Sequence, residues 1–298
     1  MNTRGSSFDV RGSTFDPNEV RRTANHERAV VLKFGGELIE DRAHLATVVS
    51  AIASIARTSP VVVVHGGGKE IDAALKVAGI EKRQVDGLRI TDQATLDVVV
   101  AVLAGSVNTR LTAALNAAGV AAVGLTGADG ACGLSQTAPP HTAVGGRTVD
   151  LGRVGIPVDK ADPRVLQTLV AARFVPVIAC IGMDAEGGLL NVNADTFAGH
   201  LAARLGAQRL VVAGTTPGVL DRSGATMPML DASALGRLVN DGTATAGMVA
   251  KLRACEHALA GGVDEVVIVD GRDRAALEAA AAGAAPPSAT RLTRMVPA

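Results

Sequence analysis

Six short segments of this 298-residue chain put charged side chains or runs of glycine where an anion can be met. In Val31-Leu32-Lys33-Phe34-Gly35-Gly36 a lysine lies inside an apolar run and two glycines follow it. A buried ammonium is costly unless it meets a negative partner, and glycine lets backbone amides approach a ligand closely. The bland alternative is a Lys33 that snorkels to the surface. A second apolar run ends Val64-His65-Gly66-Gly67-Gly68, ahead of a helix expected to begin at Lys69. Amides at a helix N-terminus, together with the helix dipole, form a ready anion site. The segment is not a Walker loop, because Lys69 is followed by Glu70 and no GxxxxGK[ST] occurs. His65 reads as a packed histidine and is given no part in proton transfer.

In Gly87-Leu88-Arg89-Ile90-Thr91-Asp92, Arg89 sits just before a helix cap, where its fork could clamp a carboxylate or simply be solvated. Asn191-Val192-Asn193-Ala194-Asp195 opens another helix. Its polar residues serve as caps, as substrate contacts, or as both. Gly214-Thr215-Thr216-Pro217-Gly218-Val219-Leu220 follows a strand, and Ala246-Gly247-Met248-Val249-Ala250-Lys251-Leu252 opens a helix. Lys251 is expected in that helix's first turn, where its charge opposes the macrodipole unless an anion is nearby.

These segments need elements to hold them. Val/Ile-rich runs at Ala29–Phe34, Val61–His65, Val120–Leu125, Pro176–Ile181, Arg209–Ala213 and Glu265–Val269 read as strands of a buried parallel sheet. Helical patterns lie near 41–57, 69–78, 92–118, 163–173, 195–205, 231–239, 247–260 and 272–282. This alternation predicts an α/β fold with right-handed crossovers. Residues 141–160, with Gly145-Gly146 central, predict a β-hairpin beside the main sheet. Residues 1–27 lack periodicity and carry a tandem Arg-Gly-Ser-x-Phe-Asp repeat, which reads as a disordered extension or a docking segment.

Composition narrows the field. Lys plus Arg and Asp plus Glu are 29 each, so nucleic acid is not an expected partner. Aromatics make up 2%, which disfavours base-stacking platforms. Three widely spaced cysteines without a CxxC point away from disulfides and zinc, and toward a reducing cytoplasm. No uninterrupted apolar run approaches eighteen residues, so no membrane span is expected.

In this order and at these separations, the segments around Lys33, His65–Gly68, Gly87–Asp92, Asn191–Asp195 and Gly247–Lys251 resemble the amino acid kinase family over about residues 29–270. Within that family they are most similar to the branch that phosphorylates N-acetyl-L-glutamate in arginine biosynthesis. The resemblance implies a three-layer α/β/α sandwich with a central, mainly parallel sheet. It implies a substrate lobe of about 28–204 and a nucleotide lobe of about 205–298. Lys33 and Lys251 would stabilise the transferring phosphoryl group and Asp195 would hold both. Gly67, Gly68, Arg89 and Asn191 would bind N-acetylglutamate. ATP, carried with Mg2+, would lie against Gly35, Gly36, Thr215, Thr216, Pro217, Gly218, Val219, Leu220, Thr243, Ala244 and Thr245. The sequence departs from the family pattern at Thr215, where Asp is common, at Ala246, where Gly is common, and in the Ala-rich stretch after Gly271. In arginine-inhibited relatives an N-terminal helix links dimers into a ring. Gly5, Gly12 and Pro17 oppose such a helix here, so a homodimer is expected, with a higher oligomer as the alternative. A sibling kinase for carrier-bound aminoadipate, glutamate, aspartate, carbamate or UMP, and a non-catalytic metabolite sensor, stand as alternatives.

Overall fold

A computed structural model describes residues 28–143, 145–231, 238 and 246–293. The main sheet has eight strands: β1 (Val30–Phe34), β2 (Val61–His65), β5 (Ala122–Thr126), β10 (Val175–Ala179), β13 (Arg209–Gly214), β14 (Met229–Leu230), β15 (Glu265–Asp270) and β16 (Thr290–Thr293). Their order is β14-β16-β15-β13-β1-β2-β10-β5. The six strands from β15 to β5 pair in parallel, and β16 runs antiparallel to β15.

Side-chain alternation explains the layers. Val30, Leu32 and Phe34 of β1, Val61 and Val63 of β2, and Val211 and Ala213 of β13 enter one core. Val31, Val62, Val64, Leu210 and Val212 enter another. Both faces of the sheet are therefore buried, as the unbroken apolar runs require. Helices α1 (Glu37–Glu40), α2 (Arg42–Ile55), α3 (Gly68–Val77) and α4 (Gln93–Ala117) contribute to the first core. Helices α5 (Arg164–Ala171), α6 (Ala194–Arg204) and α7 (Ala246–Ala260) contribute to the second, and α8 (Arg274–Ala282) returns to the first. The caps are local: Asp41, Asp92, Asn193 and Asp273 each accept backbone N–H bonds at the starts of α2, α4, α6 and α8.

A second sheet carries β6 (Ser135–Thr137), β9 (Val154–Pro157), β11 (Ile181–Met183) and β12 (Leu189–Val192) in the order β11-β12-β9-β6. Two hairpins accompany it, β3 (Gln84–Val85) with β4 (Leu88–Arg89), and β7 (His141–Thr142) with β8 (Thr148–Val149).

Several expectations change. The run Pro176–Ile181 does not make one strand: the chain leaves the main sheet at Cys180 and Ile181 begins β11, paired with β12 instead. The edge strand β5 is only half-buried and ends at Thr126. The stretch after Gly271 is integral, because α8 packs on the sheet and β16 extends it. Lys251 is the sixth residue of α7, in its second turn, so the macrodipole argument does not apply to it. Helix α4 is long and apolar enough to cross a bilayer on length and composition, although Asp97 and Arg110 interrupt its apolar runs. Its Leu96, Val99, Leu103, Val107, Leu111 and Leu115 are buried against the rest of the fold. The hairpin expected within 141–160 is present as β7–β8. The tandem repeat, the helix predicted near 231–239 except Asp231 and Leu238, and Thr243, Ala244 and Thr245 lie outside the described residues.

Candidate active site

Strand parity sends Lys33 to the face covered by α6 and α7. These two helices approach closely, since a Cβ on Gly199 would lie 2.7 Å from the Ala254 carbonyl oxygen. Asn193 caps α6 by accepting from Asp195 N at 2.9 Å and Thr196 N at 3.1 Å. Asp195 is thereby fixed in the first turn, with its side chain turned toward the sheet. Lys33 Nζ lies 2.7 Å from Asp195 Oδ1, and both side chains are largely buried. That oxygen has charge contact but no well-directed hydrogen bond. A Cβ on Gly214, at the end of β13, would sit 3.4 Å from Lys251 Nζ. Both ammonium groups thus reach the C-terminal edge of the sheet, where open α/β sheets bind ligands.

The electrostatics are those of one coupled cluster. Burial, the largest single influence, pulls the Lys33 ammonium down, but the charge and contact of Asp195 together with the charge of Glu37 outweigh it and the pKa is raised. Burial alone would raise Asp195, yet the positive charges of Lys33 and Lys251 hold it below the ordinary carboxylate range. Lys251 is lowered, by burial first and then by the neighbouring Lys33 charge. Three buried charges held this way are competent to receive further negative charge.

The two glycine turns meet at the same edge. A Cβ on Gly36 would fall 2.7 Å from Gly67 Cα and 3.0 Å from Gly68 N, so neither loop leaves room for a side chain there. Gly67 N-caps α3 without a side chain; Glu70 N donates to Glu40 Oε1 at 3.2 Å, which leaves the Gly68 and Lys69 amides of the first turn without a side-chain cap. His65 is fully buried and packed: Nδ1–H donates to Gly66 O at 3.1 Å, and Nε2 accepts from Asn108 Nδ2 at 3.1 Å. Burial lowers its pKa to about 4, so it is neutral.

Arg89 projects from β4 toward the glycine turn of α3. Its Nη2 donates to Asp72 Oδ1 at 2.5 Å and reaches Gly68 O at 3.4 Å. Asp72 Oδ2 is held in turn by Lys82 at 2.6 Å. Arg89 Nη1 is buried with no hydrogen-bond partner, so one arm of the fork keeps unspent donor capacity. Asn191 Nδ2 donates to Thr91 Oγ1 at 3.1 Å, and Thr91 Oγ1 donates to Arg89 O at 3.1 Å. Arg89 and Asn191, about a hundred residues apart in the chain, are thus joined through one buried threonine. Thr215–Leu220 follows directly on β13, whose last residue, Gly214, borders Lys251. Gly218 (φ +61°) lies against Thr290, whose Oγ1 accepts from Val219 N at 2.7 Å. The loop is therefore fastened to β16.

Asp72, Thr91 and Thr290 were not singled out from the sequence, because each acts through another residue. The available signal was that Gly68 and Asp72 are four apart on one helix face, which became meaningful only once β4 lay beside it.

A central parallel sheet closed by helices, with lysines and glycine turns at one edge, defines the class, and the chain belongs to the amino acid kinase family, whose profile matches residues 28–270. It is 41% identical over 251 residues to acetylglutamate kinase of Rhodopseudomonas palustris (strain BisA53), spanning 83% of this chain and 84% of that protein. It is 40% identical over 260 residues to acetylglutamate kinase of Novosphingobium aromaticivorans, spanning 82% and 84%. The fold is similar to that of N-acetylglutamate synthase from Neisseria gonorrhoeae complexed with coenzyme A and N-acetyl-glutamate, with a TM-score of 0.77 at 22% identity, covering 94% of this chain and 62% of that one.

Proposed function

We infer that this chain is an ATP-dependent kinase that phosphorylates the γ-carboxylate of N-acetyl-L-glutamate, giving N-acetyl-L-glutamyl 5-phosphate in arginine biosynthesis. The observation that carries the chemistry is the Lys33–Asp195–Lys251 cluster at the sheet edge. The acceptor assignment rests on the relatives at about 40% identity.

A glutamate side chain has an unperturbed pKa of about 4.3, so the acceptor is already ionised at neutral pH and needs no general base. The task is to bring one anion against another and to stabilise charge spread over the transferring group. Lys33 and Lys251 supply the positive charge, and Asp195 keeps Lys33 charged and in place. Gly67 and Gly68 offer amides, Arg89 offers its free Nη1 to a substrate carboxylate, and Asn191 is placed beside Arg89 by Thr91. In this reading residues 28–204 hold the acceptor, and residues from 205 onward hold ATP along Gly35–Gly36 and Thr215–Leu220. The described residues contain no cluster of three or more metal-ligating side chains. In this reading Mg2+ arrives with ATP and is carried mainly by nucleotide phosphates, as is usual for that ion. The product is an acyl phosphate, so exclusion of water protects it. We assign the working form as a cytoplasmic homodimer; three buried free cysteines suit a reducing compartment.

A coupled assay of ADP release with N-acetylglutamate, glutamate, aspartate, carbamate, aminoadipate and UMP as acceptors tests the assignment. N-acetylglutamate should exceed every other acceptor in kcat/KM. A different best acceptor would move the chain to a sibling activity, and no turnover with intact ligand binding would make it a sensor.

A further inference from the structure

One acidic side chain stands where an anion-binding loop would be expected to exclude it. Glu37 is the first residue of α1, directly after the Lys33-Phe34-Gly35-Gly36 turn. It does not point to solvent. Its two carboxylate oxygens fold back over Gly35 and fill the space that a Cβ there would take. They also face the end of β13, where the Cβ position of Gly214 lies 3.8 Å from Glu37 Oε1 and 3.4 Å from Lys251 Nζ. The carboxylate therefore lies in the gap bordered by Lys33, Lys251 and the glycine turn. Among the described residues it makes no hydrogen bond or salt bridge that would account for this position, although its charge acts on both lysines.

The charges make the consequence plain. Lys33 and Lys251 contribute two positive charges and Asp195 one negative, which leaves a surplus of one for phosphate. Glu37 cancels that surplus. A bare polyphosphate then meets a site with no net charge and a carboxylate in its path. A polyphosphate that brings a divalent cation meets the same carboxylate as an attraction, because Mg2+ favours one or two carboxylates alongside phosphate oxygens. We propose that Glu37 is a specificity-determining residue that makes the nucleotide site select the metal complex of the nucleotide over the free nucleotide. The proposal rests on the kinase reading above and adds to it the form of nucleotide that is accepted.

The test is calorimetric binding of ADP to the full chain, with the metal removed by EDTA and with excess MgCl2, for the unaltered protein, Glu37→Gln and Glu37→Asp. A unit charge a few ångströms from a phosphate changes affinity on the order of tenfold in a partly screened site. Glu37→Gln should therefore tighten metal-free ADP and lower the ratio of the two dissociation constants about tenfold. Glu37→Asp, which keeps the charge, should restore most of the ratio. A thermal melt of each variant reports folding, and a merely structural Glu37 would move the melt without moving the ratio. An unchanged ratio in folded Glu37→Gln overturns the proposal while leaving the kinase reading in place. Failure of the unaltered protein to bind ADP in either buffer overturns both.

Discussion

The same sheet buries ionic clusters at opposite ends, and they are built differently. At its N-terminal edge, Arg209 and Glu265 begin the adjacent strands β13 and β15 and stand opposite one another in register. Arg209 Nε lies 2.6 Å from Glu265 Oε2, Arg209 Nη1 donates to Ala281 O at 2.7 Å, and Arg291 of β16 takes the other Glu265 oxygen. Each charge there faces a partner within the protein, although Glu265 Oε1 and Arg291 Nε, like Asp195 Oδ1, meet without a directed hydrogen bond. At the C-terminal edge, Asp195 Oδ1 has a charged neighbour without a directed hydrogen bond, Arg89 Nη1 has no partner, and Lys251 borders a gap. In the first cluster every charged side chain has an opposite charge beside it, and the cluster fastens β16. The second is complete only when a ligand supplies negative charge. Neither burial nor unspent hydrogen-bonding capacity alone distinguishes function; a gap beside the charges at the C-terminal edge of the sheet does.

The sharpest way to break this contrast is to remove one charge from each end. Glu265→Gln leaves the buried Arg209 and the part-exposed Arg291 uncompensated and should cost about 3–5 kcal/mol of stability. Thermal melting should show the loss, with kcat unchanged at temperatures where the variant is folded. Lys33→Ala should do the opposite. Losing one donor to the transferring group should lower kcat on the order of 100–1000-fold, about 3–4 kcal/mol, with a smaller change in melting. If Glu265→Gln abolished turnover in folded protein, or Lys33→Ala kept near-normal turnover, the division of labour between the edges would be wrong.

His65 gives a pH test that separates packing from catalysis. Its folded pKa is about 4, below the unfolded value of about 6.5. The unfolded chain therefore binds the proton first as pH falls. Stability associated with neutral His65 is fully present above pH 6.5 and is lost as pH falls from about 6.5 to 4, reaching about 3 kcal/mol. Denaturant melts of His65→Asn should show a flatter acid limb, with the pH dependence of kcat near neutrality unmoved. A shifted kcat profile would give His65 a place in the chemistry after all. The smallest effect is expected at the acceptor. Arg89→Lys keeps the charge and loses the fork, so the KM for N-acetylglutamate should rise about tenfold with the KM for ATP unchanged. Asp72→Asn should move the same constant less, because Asp72 acts by aiming Arg89.

The strands carrying Lys33 and His65 were legible because an apolar run ending in glycine has few alternatives, and β2 was found at Val61–His65 as expected. The grouping of Lys33, Asp195 and Lys251 was carried by family resemblance, and strand parity then gave it a physical basis. Residues that act through others were not legible. Asp72 looks like any helix-surface acid until β4 brings Arg89 to it, and Thr290 lies in a stretch whose Ala-rich composition hid a strand. The break at Cys180 was hidden as well, since Ile181 continues the apolar pattern while changing sheets. The placement of Lys251 shows a local rule misapplied: its charge is answered by Asp195 across the site, and it lies beyond the first turn of α7.

The most direct test of the central claim is chemical capture of the product. Incubated with N-acetyl-L-glutamate, ATP, Mg2+ and hydroxylamine, the protein should form the γ-hydroxamate of N-acetylglutamate in step with ADP, and Lys33→Ala should form almost none. ADP release without hydroxamate, or hydroxamate formed equally well by Lys33→Ala, would contradict transfer to that carboxylate at this site.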